Sequence, residues 1–556
     1  MSGTRRVTLR FSTGRAVLTG PRIPGSRRAL DGEIDATPQP GSPPGPAGWR
    51  ARLPGLGVAV VVLAALGALT VVLRRPAYIL GHSFWLDEAW VVASTRAPAG
   101  QLRLLTSSTP IGWTLLLRLV PPIGSPERYR LLPLAFAVAA LLPAWLLGMR
   151  AAPRRGALAW LGGAVVALAA ATTPAGISHL DLKQYTADTF VVLSIAAGVA
   201  WAEAGWDRRR LAGLTAICVL AAPFSHATMF ATAAGFAALG LRWLAERRWR
   251  RLLETVAGLA VAAAAQAVVY LVFTAPGNNP ILQRWWQAAY VPLDQGAGAA
   301  WSFIGERLAG ALERTGYGAW PVALGLVVLG LAGFWLAGQR ALALFGPVLT
   351  AGLILAGAAE LYPLLEDRTS LFFTILLTVY AAGGIAAVVT RLAARWYLLL
   401  PAAAVLAGAV VLVAPAVRAA GTAEMPDGDV REEVSWVRAN ARPGDVIVVN
   451  HAAQFAFSYY WPERPVFTQT DATTAVRYRV TYPGNPDIVM SHRKEQPYVD
   501  AAVDAAAARD PDRILVLLGW ATPAGMRQWQ AAARRAGTVT SPMPGYALLE
   551  ITPPGR

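Results

Sequence analysis

Phe84-Trp85-Leu86-Asp87-Glu88-Ala89-Trp90 sets two adjacent acids just beyond Gly55–Leu73, an uncharged apolar run about as long as the roughly 20 residues that span a bilayer. Acidic side chains at a membrane boundary are costly, so a pair of them there calls for a function or a partner. Working outward, ten more apolar runs follow: Leu131–Leu147, Leu158–Ile177, Thr186–Ala202, Leu211–Pro223, Ala227–Leu244, Leu253–Phe273, Ala319–Ala337, Leu342–Ala359, Leu371–Val389 and Tyr397–Val413. Leu211–Pro223 is short for a crossing and reads equally as a tilted or half-buried helix. The expected fold is therefore mainly α, a polytopic membrane helical bundle of about eleven spans.

Composition agrees. The 556 residues are 55% hydrophobic and only 15% charged, with a mean hydropathy of +0.42, against about 25% charged residues in soluble domains. The net charge of +17 comes almost wholly from arginine, and its placement argues against nucleic acid. With the amino terminus inside, every inner loop is basic: Arg150/Arg154/Arg155, Arg208/Arg209/Arg210, Arg247/Arg248/Arg250/Arg251, Arg340 and Arg391/Arg395. Arg74 and Arg75, at the outer end of the first span, run against that rule. The single cysteine, Cys218, excludes intrachain disulfides and cysteine metal clusters.

Three regions result. Residues 1–53, rich in Arg, Gly and Pro, show no structural period and read as a disordered cytoplasmic arm. Residues 54–417 form the membrane domain. From 418 to 556 the composition becomes soluble, with helices expected at Asp429–Ala441, Ala452–Tyr460 and Ala524–Ala536 and strands at Asp445–Asn450, Ile514–Leu518 and Tyr546–Ile551. Such alternation implies a C-terminal soluble α/β domain, placed on the extracytoplasmic side by an odd number of spans. It lacks a Gly-rich phosphate loop.

The same topology gathers polar residues on the outer face: His82, Asp87 and Glu88; His179, Asp181 and Lys183; His226; and Glu360, Glu366, Asp367 and Arg368. Asp87–Thr95 reads as a short amphipathic interfacial helix. Its acids serve as helix caps or as catalysts, and because neighbours on a helix point about 100° apart the two carboxylates are expected to differ in role. One would take a proton from a hydroxyl while the other binds a metal or braces the loop. If Asp181 begins a helix, Asp181, Tyr185 and Asp188 share one face, with Asp188 functional or in a structural ion pair. Arg368 suits a phosphate, or else pairs locally with Glu366 or Asp367.

Three motifs in this order resemble the C-type membrane glycosyltransferases (the GT-C fold), closest to glycosyltransferase family 39, which includes protein O-mannosyltransferases, with lipid A aminoarabinose transferases as relatives. They are Trp85-Leu86-Asp87-Glu88-Ala89 after the first span, Thr109-Pro110-Ile111-Gly112-Trp113 opening a second interfacial helix, and His179-Leu180-Asp181-Leu182-Lys183-Gln184-Tyr185 before the fourth span. The resemblance covers roughly 55–415. It implies transfer of a sugar from a polyprenyl-phosphate donor to a protein, lipid or polysaccharide acceptor, at a multi-pass cell-membrane enzyme. By that resemblance Asp87 would be the base and Glu88 its support, with the donor phosphate near Lys183 and Arg368; Asp181 is a further catalytic candidate, and His179, Lys183, Tyr185 and Arg368 are the candidate substrate-binding residues. A divalent metal on Asp87, Glu88 or a histidine is possible chemistry. Thr109 stands where many members carry a proline, and the Asp181–Lys183 loop departs from the mannosyltransferase form. The rival readings are a transporter or flippase of lipid-linked sugars, which would show internal repeats and midplane acids, and a non-catalytic relative whose outer domain binds wall polymer.

Overall fold

The structure is a computed structural model and describes residues 53–105, 109–121, 124–152, 156–179, 181–277, 280–393, 413–425, 430–470 and 478–555. Gly55–Arg556 forms one compact unit. The expected arm and nearly all of the eleventh run, Tyr397–Val413, lie outside the described residues.

Each of the other ten runs carries a helix. Six helical stretches are long and apolar enough to cross a membrane: Pro126–Ala151, Tyr185–Ala204, Thr228–Ala245, Trp249–Gly277, Arg340–Ala358 and Leu371–Arg391. Gly57–Leu73, Ala157–Ala171 and Trp320–Leu336 are shorter apolar helices, and Arg208–Ala221 is shorter still. The expected run Leu158–Ile177 is two helices, Ala157–Ala171 and Pro174–Ser178. Pro174 has no N–H to continue the ladder and its ring crowds the preceding turn, so the chain restarts there. The helix expected from Asp181 begins instead at Tyr185. Asp181 therefore lies in a loop and shares no helical face with Asp188.

The small residues that punctuate the spans set how closely they pack. A Cβ on Gly330 would lie 1.8 Å from the Tyr380 carbonyl, and one on Gly148 2.4 Å from the Gly162 carbonyl, so these helices meet backbone to backbone. Arg74 and Arg75 are also accounted for. Arg74 is buried and donates to the Gly176 carbonyl, while Arg75 donates to Ala420 and Ala423 at the end of the helix over 413–422. Both are consumed by orphan helix-end carbonyls rather than left to obey a charge rule.

The short helices between the first spans include α1 (Leu86–Arg96) and α2 (Ile111–Leu119). After residue 430 the order is α3 (Arg431–Asn440), β1 (Asp445–Val449), α4 (Ala453–Tyr460), β2 (Val466–Gln469), β3 (Tyr478–Thr481), β4 (Ile488–Met490), α5 (Gln496–Ala507), β5 (Arg513–Leu517), α6 (Pro523–Ala536), β6 (Thr538–Thr540) and β7 (Leu548–Thr552). A five-stranded sheet runs β4-β1-β5-β7-β6, with β1 parallel to β4 and β5 and β7 antiparallel to both neighbours. The runs Val446–Val449 and Ile514–Leu517 are continuously apolar because both sheet faces are covered. Val446, Val448, Ile514 and Val516 pack against α5 and α6. On the other face, Ile447, Val449, Leu515 and Leu517 join one apolar cluster with Phe455 and Phe457 of α4 and with Phe84, Val91, Val92 and Trp113 from the segment between the first spans. The sheet region thus shares its core with α1.

Candidate functional site

The α1 helix opens on Leu86 with Asp87 and Glu88 in its first turn, where acids favour the positive end of the helix dipole. The two carboxylates diverge as helical geometry requires. Glu88 is fully buried and is gripped by Arg130, also fully buried: Nε donates to Oε1 at 2.9 Å and Nη2 to Oε2. The remaining Arg130 N–H groups donate to the carbonyls of Ile79, His82 and Ser83, so all five donors of the guanidinium are used. Glu88 Oε1 also accepts the Leu182 N–H at 2.8 Å. Burial pushes the Glu88 carboxyl upward, and the Arg130 charge and hydrogen bonds oppose that. This acid ties the segment that opens α1 to the loop before the helix Tyr185–Ala204.

Asp87 points the other way. Its side chain is 23% exposed, and Oδ2 lies 3.3 Å from Lys183 Nζ and 3.2 Å from Arg368 Nη1. Three segments distant in sequence therefore meet at one carboxylate oxygen. Lys183 is buried and faces the Trp90 ring, and the Arg368 guanidinium faces the Trp85 ring. The indoles flanking the acid pair thus each carry one of its cations. The Lys183 loop is pinned by Trp113, whose Nε1 donates to the Leu182 carbonyl at 3.1 Å.

Arg368 is held by a strained loop. Glu360 and the fully buried Leu365 adopt φ of +56° and +48°, a region costly for residues other than glycine and common at functional sites. Arg314 secures the bend through the Leu365 carbonyl at 3.1 Å and Asp367 at 2.6 Å. Glu366 accepts the N–H groups of Arg368 and Thr369. It also lies 3.9 Å from the Arg368 guanidinium, so Arg368 makes the local pair as well as the long-range one.

Asp181 sits beside this cluster with Oδ2 free of any hydrogen-bond partner among the described residues. Burial raises its pKa, the charges of Arg368 and Lys183 oppose this, and Asp87 adds to the rise. Tyr185, buried at the start of its span, feels Arg368, Asp181 and Asp87. His179 Nδ1 donates to the Ala175 carbonyl at 2.7 Å, and burial lowers its pKa. It lies toward Glu366–Arg368 rather than against Asp87. Sequence reasoning missed Arg130 and Trp113; an arginine abutting the apolar run from Leu131 was the available signal for the first, and Trp113 read only as part of a motif.

A divalent metal does not fit this donor set. Asp87 already meets two cations, Glu88 is saturated by a third, and among the described residues no group of three or more His, Cys, Asp or Glu is placed to hold an ion.

No family model and no curated protein matches the chain. Among solved structures, ArnT from Cupriavidus metallidurans in the apo state is similar at a TM-score of 0.55 and 11% identity, covering 89% of this chain and 98% of that one. The oligosaccharyltransferase of Archaeoglobus fulgidus, in a complex with Zn and sulfate, is similar at 0.52 and 12%, covering 88% and 73%. The chain has the GT-C fold.

Proposed function

We propose that this chain is a membrane glycosyltransferase that moves a sugar from a polyprenyl-phosphate donor to an acceptor hydroxyl on the extracytoplasmic side, inverting the anomeric centre. The carrying observation is the meeting of Lys183 and Arg368 on the accessible oxygen of Asp87. Two convergent cations on one half-buried carboxylate suit a site that exchanges that carboxylate for a phosphate. When the donor phosphate arrives it takes over both cations and leaves Asp87 free to accept a hydrogen bond from the incoming hydroxyl. Asp87 then takes the hydroxyl proton as the oxygen attacks the anomeric carbon. The bond from that carbon to the phosphate oxygen breaks, its electron pair leaves with the lipid phosphate, and Lys183 and Arg368 stabilise the charge that builds there. Asp181, with its unpartnered oxygen, orients a sugar or acceptor hydroxyl. Tyr185 and His179 bound the pocket, and Glu88 braces the loop. No step runs through a metal.

The orientation is part of the same proposal. The helix from Tyr185 to Ala204 runs 20 residues, about 30 Å, and the basic cluster Arg208/Arg209/Arg210 that follows it supports an inner position for that end and an outer one for Asp87.

The test is transfer by purified protein in lipid from a panel of radiolabelled polyprenyl-phosphate sugars, with acceptor-containing membrane extract, with and without chelator. Asp87→Asn is expected to lose transfer by about 10²-fold or more. Lys183→Ala and Arg368→Ala should each weaken donor binding about tenfold, and chelator should leave the rate unchanged. Failure of the wild type with every donor, or equal transfer by Asp87→Asn, refutes the reading.

A further inference from the structure

The carboxyl-terminal edge of the sheet has the form of a second binding site. From the central strand β1 the chain goes to β4 on one side and then crosses to β5 on the other, so the strand order reverses between β1 and β5. Crevices at such points, outside the carboxyl ends of parallel strands, are where open α/β sheets hold ligands. Here the point is locked by Asn450, which is buried: Oδ1 accepts the N–H groups of Ala453 at 2.7 Å and Gly519 at 3.2 Å, and Nδ2 donates to the Gly519 carbonyl at 3.0 Å.

That clamp holds the next residue, Trp520, at φ +44° with its side chain 59% exposed. A bulky residue in this backbone region is strained, and burial of the ring does not offset the cost. Tyr546, 48% exposed, lies in the connection from β6 to β7, and Tyr498, 43% exposed, in the first turn of α5 after β4. Because β7 starts opposite the end of β5, both connections open on the same edge as Trp520. Among the described residues from 430 onward, these three are the exposed large hydrophobic side chains.

On the same edge, the residues after β1 and β4 supply half-buried polar groups. His451 Nδ1 and His492 Nδ1 have no hydrogen-bond partner among the described residues. Burial lowers the pKa of both, that of His492 to about 4. Neutral imidazoles offer a donor and an acceptor, which suits hydroxyl groups rather than phosphate. Arg493 packs over the Tyr498 ring at 4.7 Å and donates to its hydroxyl at 2.8 Å, so that ring is held in place.

We propose that this edge binds a neutral glycan, with Trp520 and Tyr546 stacking on the apolar faces of sugar rings, Tyr498 flanking them, and His451 and His492 meeting their hydroxyls. Aromatic platforms around hydrogen-bonding groups fit a ligand that is flat and apolar on its ring faces and polar around its rim. The edge would hold the growing or acceptor chain while Asp87 acts on its end. That role rests on the proposed transfer, whereas the binding does not.

The test uses the full-length Asp87→Asn protein in lipid nanodiscs, so that no transfer intervenes, titrated calorimetrically with linear neutral hexasaccharides of mannose, glucose, galactose and arabinose. At least one is expected to bind. Trp520→Asn, which keeps a residue tolerant of the left-handed backbone, and Tyr546→Ala should each weaken it about tenfold, and Trp520→Phe should retain most of the binding. Binding of none of the four, or equal binding by Trp520→Asn and Tyr546→Ala, overturns the proposal. Transfer by the wild type alongside no hexasaccharide binding would refute this site and spare the enzyme.

Discussion

Replacing Arg130 by Met tests whether Glu88 belongs to the architecture of the site. The guanidinium makes five hydrogen bonds, two to Glu88 and three to the carbonyls of Ile79, His82 and Ser83. Removing one partner of a buried ion pair costs about 3–5 kcal/mol, because the other charge stays buried and uncompensated. Three carbonyls lose a donor at about 1 kcal/mol each net. Even the lower of these figures is a large part of a total stability of about 5–15 kcal/mol. The expected damage is concentrated in residues 79–88, with loss of hydrogen-exchange protection there, and a global loss of at least about 3 kcal/mol in reversible unfolding in mixed micelles. Glu88→Gln in the same background removes the stranded charge, so the double variant should be more stable than the two single losses added together, by about 2 kcal/mol or more. An Arg130→Met loss below about 1 kcal/mol, or simple additivity within about 0.5 kcal/mol, refutes the reasoning.

Two further outcomes are expected. Arg96 donates to the carbonyls of Ser458, Tyr459, Trp461, Pro462 and Glu463 at the end of α4, so Arg96→Ala should loosen the sheet region from α1. Limited proteolysis should cut within 430–556 at least about tenfold faster than in the wild type, and an unchanged rate would show that the shared apolar core suffices alone. His492, its pKa lowered to about 4 by burial and by Arg479, is neutral when folded and titrates near 6.5 when unfolded. Its stabilising contribution is complete above about pH 6.5 and is lost as pH falls toward 4, by up to about 3 kcal/mol; His492→Gln should flatten that slope in unfolding measured from pH 7 to 4, and an unaltered slope rejects the assignment.

The helices were legible because hydropathy and arginine spacing report directly on lipid, and the α1 start and the β1 and β5 runs because their periods are local. Four things were not. The break at Pro174 hides inside a run whose composition is apolar on both sides of it. The short strands β2, β3, β4 and β6 carry too few residues to show a period against their flanks. The convergence of Asp87, Lys183 and Arg368 joins positions 281 residues apart at the extremes, and no local pattern announces which of several cations reaches which acid. Arg130 was harder still, since an arginine next to a span reads as surface charge until its five donors are counted.

The adjacent acids show why a motif of this kind is short. A helix turns about 100° per residue, so consecutive carboxylates at its first turn must face different surroundings. In α1 one environment is the dry interior, where a carboxylate survives only with a full set of donors, and Arg130 with the Leu182 N–H provides them. The other is the half-buried meeting point of three segments, where the proposed transfer requires the carboxylate to be reachable and its partners displaceable. Lys183 and Arg368 meet that requirement, contacting a single oxygen at 3.3 and 3.2 Å rather than as a bidentate fork. Exchanging the two residues would fail on both sides: aspartate at 88 is one methylene too short to reach the Arg130 fork, and glutamate at 87 would push past the cations. Asp87→Glu should therefore retain the fold and lose most transfer, whereas Glu88→Asp should lose stability first. If Asp87→Glu unfolds the protein while Glu88→Asp leaves it stable, the division of labour is the reverse of the one argued here.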